Sequence, residues 1–305
     1  MRKIRWAPHI HSKETTSKIM VSVILALIPA IIGSVYFFGF HALKIIFVSI
    51  LSCVLSEILS GIIFKRKIKI YDGSAIVTGI LFAFVLPPEL PLWIVALGGF
   101  FAIFIAKELF GGIGFNIFNP ALAARAILLT SFPVEMTKFY PPFSYKIDAI
   151  SCATPLTIVK EKMSITLPSF YQMLIGQRAG CIGETGILLL LIGALFLIVR
   201  KIITWHIPIS YILTVAILSF IFKQNVLFHI LSGGLILGAF FMATDYVTSP
   251  LTPKGKLLFG GGCGLITVLI RMQGGYPEGV CYAILFMNMI VPLIDKCTLP
   301  KKFGG

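Results

Sequence analysis

Runs of about twenty apolar residues, divided by short polar breaks, follow one another along most of the chain. They begin near Ile19, Ala42, Ser74, Leu92, Phe115, Gly186, Ile207, Val226, Lys256 and Gly279. A helix of that length crosses ~30 Å of hydrocarbon. The pattern therefore predicts an all-α polytopic membrane protein with about ten transmembrane helices. Two runs are irregular. The third is short and ends at PPELP, and the eighth is interrupted by Gly233 and Gly234. Short or glycine-broken segments in matching positions of two halves point to functional sites. One long stretch, residues 133–185, does not look like membrane.

Composition agrees with this reading. The 305 residues are 57% hydrophobic and only 12% charged, against about 25% charged in soluble domains. The net charge of +14 would suit nucleic acid, but the basic residues sit between apolar runs. No basic, aromatic-lined soluble domain is available to bind a polynucleotide, so the charges read as topology signals and contacts with anionic lipid. The first run, residues 19–40, is too long for a signal-peptide core and reads as a retained helix. Six scattered cysteines (Cys53, Cys152, Cys181, Cys263, Cys281, Cys297) form no CxxC pair, and most serve as small hydrophobes. No metal site is expected from them. Cys152 and Cys181 share the long stretch, and the sequence leaves a disulfide between them open.

Charge placement orients the chain. With the N-terminus in the cytoplasm, 17 lysines and arginines fall on the inner side and 8 on the outer, with Arg125 inside the fifth run. That bias puts both termini in the cytoplasm and residues 133–185 outside.

The halves on either side of that stretch resemble each other. GSAIVTGILFAFVLPPELP (73–91) aligns without gaps on SGGLILGAFFMATDYVTSP (232–250), so that Gly79 falls on Gly238 and Pro91 on Pro250. The glycine pairs Gly98-Gly99 and Gly111-Gly112 have counterparts in Gly261-Gly262 and Gly274-Gly275 at the same separation. Each unit holds five runs, an odd number, so the second enters from the opposite side. This predicts two inverted five-helix repeats: residues 1–132 with a basic cytoplasmic N-terminus, and residues 186–305 with a short cytoplasmic tail. The 133–185 loop joins them. Glycine pairs also permit close helix packing, and the two readings are compatible.

A few polar residues lie at membrane depth. Ionisable groups there cost about 2.5–3.5 kcal/mol on insertion scales, so Glu57, Lys107, Glu108 and Arg125 each need a reason. Lys107 and Glu108 could sit at the interface; Arg125 is deeper and calls for a partner. Asn116 and Asn119 precede Pro120, as an N-cap precedes the first helical turn, and a helix N-terminus attracts anions or electron-rich oxygens. The second half offers a cytoplasmic polar loop with Asp245, Thr248 and Thr252. In the outer loop, DAISCATPLTIVK (148–160) sets Thr154 among small residues. Pro155 pushes Thr154 towards an extended backbone, and the stretch reads as an exposed loop presenting a hydroxyl.

SKETTSKIMVSVILALIPA, DGSAIVTG, GGIGFNIFNPA, S-x-A-T-P-L and TSPLTPKG occur in that order. Together they resemble the D subunit of the Rnf electron-transport complex, the homologue of the B subunit of the sodium-pumping NADH:quinone reductase, over about residues 8–295. The resemblance implies FMN attached through a phosphodiester to a threonine by a flavin transferase that recognises D-x-x-[ST]-G-A-T. Asp148, Ser151, Cys152, Ala153 and Thr154 match that motif, except that Cys152 stands where glycine is usual. Thr154 is then the covalent FMN site. The family also implies a second, non-covalent flavin such as riboflavin, for which Asn116, Asn119 and Pro120 are the candidate contacts.

The implied role is an electron-relaying subunit of an ion-translocating ferredoxin:NAD+ oxidoreductase in the bacterial cytoplasmic membrane, coupled to Na+ or H+ movement. It would work beside the membrane, iron–sulfur and flavin subunits of the complex. The chain has no nucleotide-binding fingerprint and no iron–sulfur cysteine pattern, and no residue of its own is expected to be catalytic. It would not be a complete enzyme alone. Inverted repeats with broken helices also suit a channel or transporter without a redox cofactor, and a bare scaffold is a third reading. Neither gives a reason for the flavinylation-type heptapeptide.

Overall fold

The computed structural model describes residues 15–66, 70–143, 152–164 and 166–300. Asp148 and Ser151 of the heptapeptide lie outside them, as do Arg2, Lys3, Arg5, Lys13, Lys67, Lys69, Lys146, Lys301 and Lys302 of the charge count. The described residues are helical, with one isolated bridge pairing Phe139 and Cys152.

Helices α1 (Thr16–Phe38) and α2 (Phe40–Ile63) are separated by Gly39 alone, at a positive φ of 72°. Helix α3 (Ser74–Phe84) starts after Gly73, also at positive φ, where Asp72 Oδ1 accepts from the Ser74 amide at 2.8 Å. Helix α4 (Leu92–Phe100) runs into a π-helical segment, Phe101–Glu108, with the Leu109 amide reaching back five residues to the Phe104 carbonyl. Helix α5 (Pro120–Ser131) is capped by Asn119. The connecting region holds three short helices, α6 (Pro133–Met136), α7 (Pro155–Lys160) and α8 (Phe170–Ile175). The second half begins with α9 (Ile187–Val199) and α10 (His206–Ile221). Helix α11 (Val226–Leu231) breaks at Gly233 and Gly234, both at positive φ, and α12 (Leu235–Leu237) continues as a π turn over Gly238–Met242. Helices α13 (Pro253–Gln273) and α14 (Val280–Thr298) complete the chain.

Among the described helices, α1, α2, α13 and α14 are long and apolar enough to cross a membrane. The burial pattern is that of a multi-pass membrane protein. The outer stripe of α1 carries Val21, Leu25, Ile28, Ile32 and Tyr36, all exposed, at three- and four-residue spacing. Its buried face is mostly small, with Ser22, Ala26, Ala30, Gly33 and Ser34 beside the larger Leu27, Phe37 and Phe38. Helix α2 likewise exposes Phe47, Leu51, Leu55 and Leu59 and buries Ser49, Ser56 and Ser60. Small inward residues let helices approach closely where no water drives them together. Ser49 Oγ donates across to the Gly79 carbonyl on α3 at 2.7 Å, and a Cβ at Gly79 would come within 2.7 Å of the Ile50 backbone.

Helix α1 packs along α9, α2 against α3 and α4, α10 against α13, and α5 against α14. The connecting region is not one surface loop. Its last part turns inward, with the Ile182 and Gly183 amides donating to the Leu86 and Phe84 carbonyls at 3.0 and 2.9 Å. Arg178, Cys181, Glu184 and Thr185 are consequently buried among the helices.

Candidate functional site

Two polar sites lie along α5, at Asn119 and at Arg125. Six residues separate them, about 9 Å of helix rise.

The first is a cavity of about 810 Å3, counting its open mouth. Its apolar walls include Val77, Leu81, Ile203 and Phe241, and its polar lining includes Asn116, Asn119, Lys107 and Asp245. The structure thus brings Asn116, Asn119 and Pro120 to one cavity. Asn119 is occupied with structure: its Oδ1 caps Ala121 N and Leu122 N, and its Nδ2 donates to the Met242 carbonyl at 3.2 Å. Its own amide donates to Asn288 Oδ1, and Asn288 Nδ2 donates to the Thr248 carbonyl. Asn119 is therefore an N-cap that also ties the two halves together. Asn116 gives one amide hydrogen to the Phe118 carbonyl and lines the cavity. Lys107 is buried within the protein, 2.7 Å from both Glu57 Oε1 and Ser74 Oγ. Burial and the Thr248 hydroxyl act oppositely on Asp245, and burial wins, raising its carboxyl pKa. An apolar slot with a few convergent polar groups suits a flat heteroaromatic ring.

The second site is a buried ionic cluster. Arg125 finds the partner its depth demands, an ion pair with Glu278, and a further contact from its Nη2 to Cys181 Sγ at 3.6 Å. Arg271 donates to the carbonyls of Glu278, His229 and Ser232, which braces the glycine break before α12. Arg178 Nη2 donates to the Glu184 carbonyl at 2.9 Å. Burial, then Glu278, push the Glu184 carboxyl up to about 7, against the pull of Arg178 and Arg125. Cys181, Glu184 and Glu278 bring their ligand-type atoms within 4.8 Å of one another. Arg125 already bonds Cys181 and Glu278 and stands where a metal ion would have to sit.

Thr154 lies over this cluster. It is the N-cap of α7, with an extended backbone (φ −68°, ψ 156°) as Pro155 requires. It is not exposed, however: only 3% of its surface is accessible. Its Oγ1 bonds along α7 to Thr157, 2.8 Å from that hydroxyl and 3.3 Å from that amide. Packing explains the correction. On one flank Cys152 pairs with Phe139, which packs with Ala179 and Cys181. On the other, Leu156 fills the space over Gly233, where a Cβ would come within 2.5 Å of it. Lys160 then donates to the Gly274 and Tyr276 carbonyls, tying α7 to the turn before α14. Cys152 itself is exposed, and Ala153 is partly buried. The sequence reading missed Arg178, Glu184 and Glu278. The available signal was RAGCIGET, charges set among glycines and small residues.

A sequence model described as the NQR2, RnfD, RnfE family matches residues 3–304. The chain is 48% identical to the D subunit of the proton-translocating ferredoxin:NAD(+) oxidoreductase complex of Clostridium ljungdahlii, covering 98% of this chain and 95% of that protein. It is 46% identical to the D subunit of the Na(+)-translocating ferredoxin:NAD(+) oxidoreductase complex of Acetobacterium woodii, covering 98% and 94%. It is 38% identical to the D subunit of the ion-translocating oxidoreductase complex of Escherichia coli, covering 99% and 98%.

Proposed function

The chain belongs to the NQR2, RnfD, RnfE family, and from that premise we propose that it is the flavin-carrying D-type membrane subunit of an ion-translocating ferredoxin:NAD+ oxidoreductase complex. It acts with the other subunits of that complex and relays electrons in a redox enzyme whose turnover moves Na+ or H+. The observation that carries the reading is the full-length family match combined with a D-x-x-[ST]-x-A-T heptapeptide ending at Thr154.

We assign FMN to Thr154 as a phosphodiester placed there by a flavin transferase, and a second, non-covalent flavin to the cavity at Asn116. The residues fit both groups. Thr154 supplies a hydroxyl on an extended backbone, and buried guanidinium nitrogens without partners lie in the cluster beneath it. The cavity offers apolar walls for a ring and Asn116 for its polar edge. Bound flavin supplies reversible electron transfer, while this chain positions it and sets its surroundings. Helix α5, with Asn119 at its head and Arg125 further along, spaces the two sites. Because Thr154 is buried, attachment must precede the docking of α7 or require α7 to lift.

We further propose ten spans in two inverted units, residues 1–132 and 186–305, with both termini in the cytoplasm and the 133–185 segment entered from outside. The facing of α1 on α9 and of α5 on α14 supports a two-fold relation. So does a shared device: Lys107 braces the start of α3 through Ser74, and Arg271 braces the start of α12 through Ser232, at neighbouring positions of the repeat register.

The test is flavin fluorescence under ultraviolet light after denaturing electrophoresis, on protein produced together with the transferase. The wild type gives a fluorescent band and Thr154→Ala gives none. A dark wild-type band removes the flavin assignment, and a bright Thr154→Ala band moves it to another residue.

A further inference from the structure

Arg178 has more donors than the protein satisfies. Its side chain is buried, 4% accessible, and only Nη2 has a partner, the Glu184 carbonyl. Nε and Nη1 have none, nor does Nε of Arg125 nearby. A guanidinium stays charged in proteins, so Arg178 cannot shed a proton to ease its burial. Buried donors in native proteins have acceptors; Nε–H and Nη1–H diverge, but the hydrogen that Nη2 keeps after bonding Glu184 pairs with one of them as a fork that matches two oxygens of a phosphate.

The charge of the cluster indicates what is missing. Among the described residues Arg125, Arg178 and Arg271 oppose Glu184 and Glu278, which leaves at least one excess positive charge in a buried site, even with both carboxyls ionised. A carboxylate or a phosphate diester, each with one negative charge, would neutralise it. The site also has a covalent neighbour. Thr154 is buried, and both its flanks rest on the walls of the cluster. Cys152 connects through Phe139 to Ala179 and Cys181. Leu156 lies on Gly233, and Gly234 lies against the Glu184 carboxyl. Arg178 is the residue next to Ala179.

We propose that Arg178, backed by Arg125, is the receptor for a phosphodiester monoanion esterified to Thr154. The guanidinium fork neutralises the diester and seats it beneath α7, so attachment and docking of that helix are coupled. This assignment rests on the reading of Thr154 as the flavin site. The same chemistry would accept the phosphodiester of a lipid headgroup, and the experiment separates the two.

The complex is isolated from cells that make the transferase, with wild-type, Arg178→Gln, Arg178→Lys and Arg178→Ala forms of this chain. Fluorescence of the denatured band first reports attachment, independently of Arg178. The native complexes are then treated with a phosphodiesterase and the band is followed in time. Wild type should keep its band, whereas Arg178→Gln should lose it under the same treatment. Arg178→Lys, which keeps the charge but not the fork, should fall between them. Free guanidinium ion added to Arg178→Ala should restore protection, which urea at the same concentration should not; a general loosening of the fold would not respond this way. An Arg178→Gln band as resistant as wild type overturns the proposal, as does protection restored equally by urea. A Thr154→Ala protein that co-purifies with phospholipid, which Arg178→Gln in the same background removes, makes the ligand a lipid and also overturns it. A dark wild-type band refutes the flavin reading itself and is distinguished from these at the first step.

Discussion

Thr154 shows how a single residue can satisfy a sequence rule and defeat the inference drawn from it. Pro155 does hold Thr154 extended, at ψ 156°, but the same proline opens α7 as its first helical residue. The threonine thereby becomes an N-cap whose hydroxyl bonds its own helix at Thr157 and is buried rather than presented. Asn119 was legible for the opposite reason: Asn-Pro is a local signal, and its capping bonds are local too. Arg178 and Glu184 were not legible, because charges in a non-membrane stretch read as solvated. They are buried only because the backbone at Ile182 and Gly183 bonds to the end of α3, a contact between segments far apart in the chain. Glu184 makes this burial measurable. Its carboxyl, facing Glu278, Arg178, Arg125 and Cys181, titrates at about 7 when folded, against 4.5 ordinarily. Between those values the unfolded chain has lost a proton that the folded protein retains. The contribution of Glu184 to stability therefore falls as pH rises from about 4.5 to 7 and does not change further above that. Glu184→Gln should flatten that part of the curve, and at pH 8 the variant should melt no lower than wild type. Thermal denaturation of the purified protein across pH 4.5–8 measures this. A Glu184→Gln variant that keeps the wild-type slope would show that another group carries it.

At the scale of elements, the glycines that aligned the two halves have distinct physical roles. Gly79 lies where α3 crosses α2, and a methyl group there would meet the Ile50 backbone, which cannot move like a side chain. Gly238, its partner in the repeat, faces Val280 and Ile284 on α14. Gly275 shares the repeat pattern, yet a Cβ there would meet nothing within 4 Å. Forcing extra volume into a packed contact costs about 1–3 kcal/mol. Gly79→Ala should therefore lower the melting temperature by several degrees, while Gly275→Ala should leave it unchanged. Equal effects at both sites would mean that the repeat glycines do not act through packing. The helix break at Gly233-Gly234 was legible because a glycine pair interrupts an apolar run, and both residues take positive φ. The π segments Phe101–Glu108 and Gly238–Met242 were not, since hydropathy is the same for either winding. Their effect is to shift the register of the side chains that follow, and Lys107 lies within one of them. This is why a sequence that placed Lys107 at a helix end could not tell an exposed lysine from a buried one bonded to Glu57 and Ser74.

Across the described residues, a buried apolar core is combined with long helices whose outer faces are also apolar, unlike those of a soluble protein. Large apolar side chains point outward along α1, α2 and α10, and serines, glycines and alanines line the contacts. Apolar runs reveal where such helices lie but not how they are rotated, so the multi-pass architecture was legible while the pairing of Arg125 with Glu278 across 153 residues was not. Orientation rests on a different quantity, the uneven placement of lysine and arginine, which acts during insertion. It assigns α8 to the outer side and the end of α14 to the cytoplasm. Native Cys297 at that end is exposed, and Tyr171 on α8 is 71% accessible, so both positions can report. In a Tyr171→Cys variant, a membrane-impermeant maleimide applied to intact spheroplasts should modify residue 171 and spare Cys297. Inside-out vesicles should give the reverse, with the modified peptides identified by mass. Labelling of both positions from one side would end the five-plus-five inverted arrangement, because an even number of crossings between the α8 segment and the C-terminus would then be required. It would also put the site beneath α7 on the same face as the C-terminus.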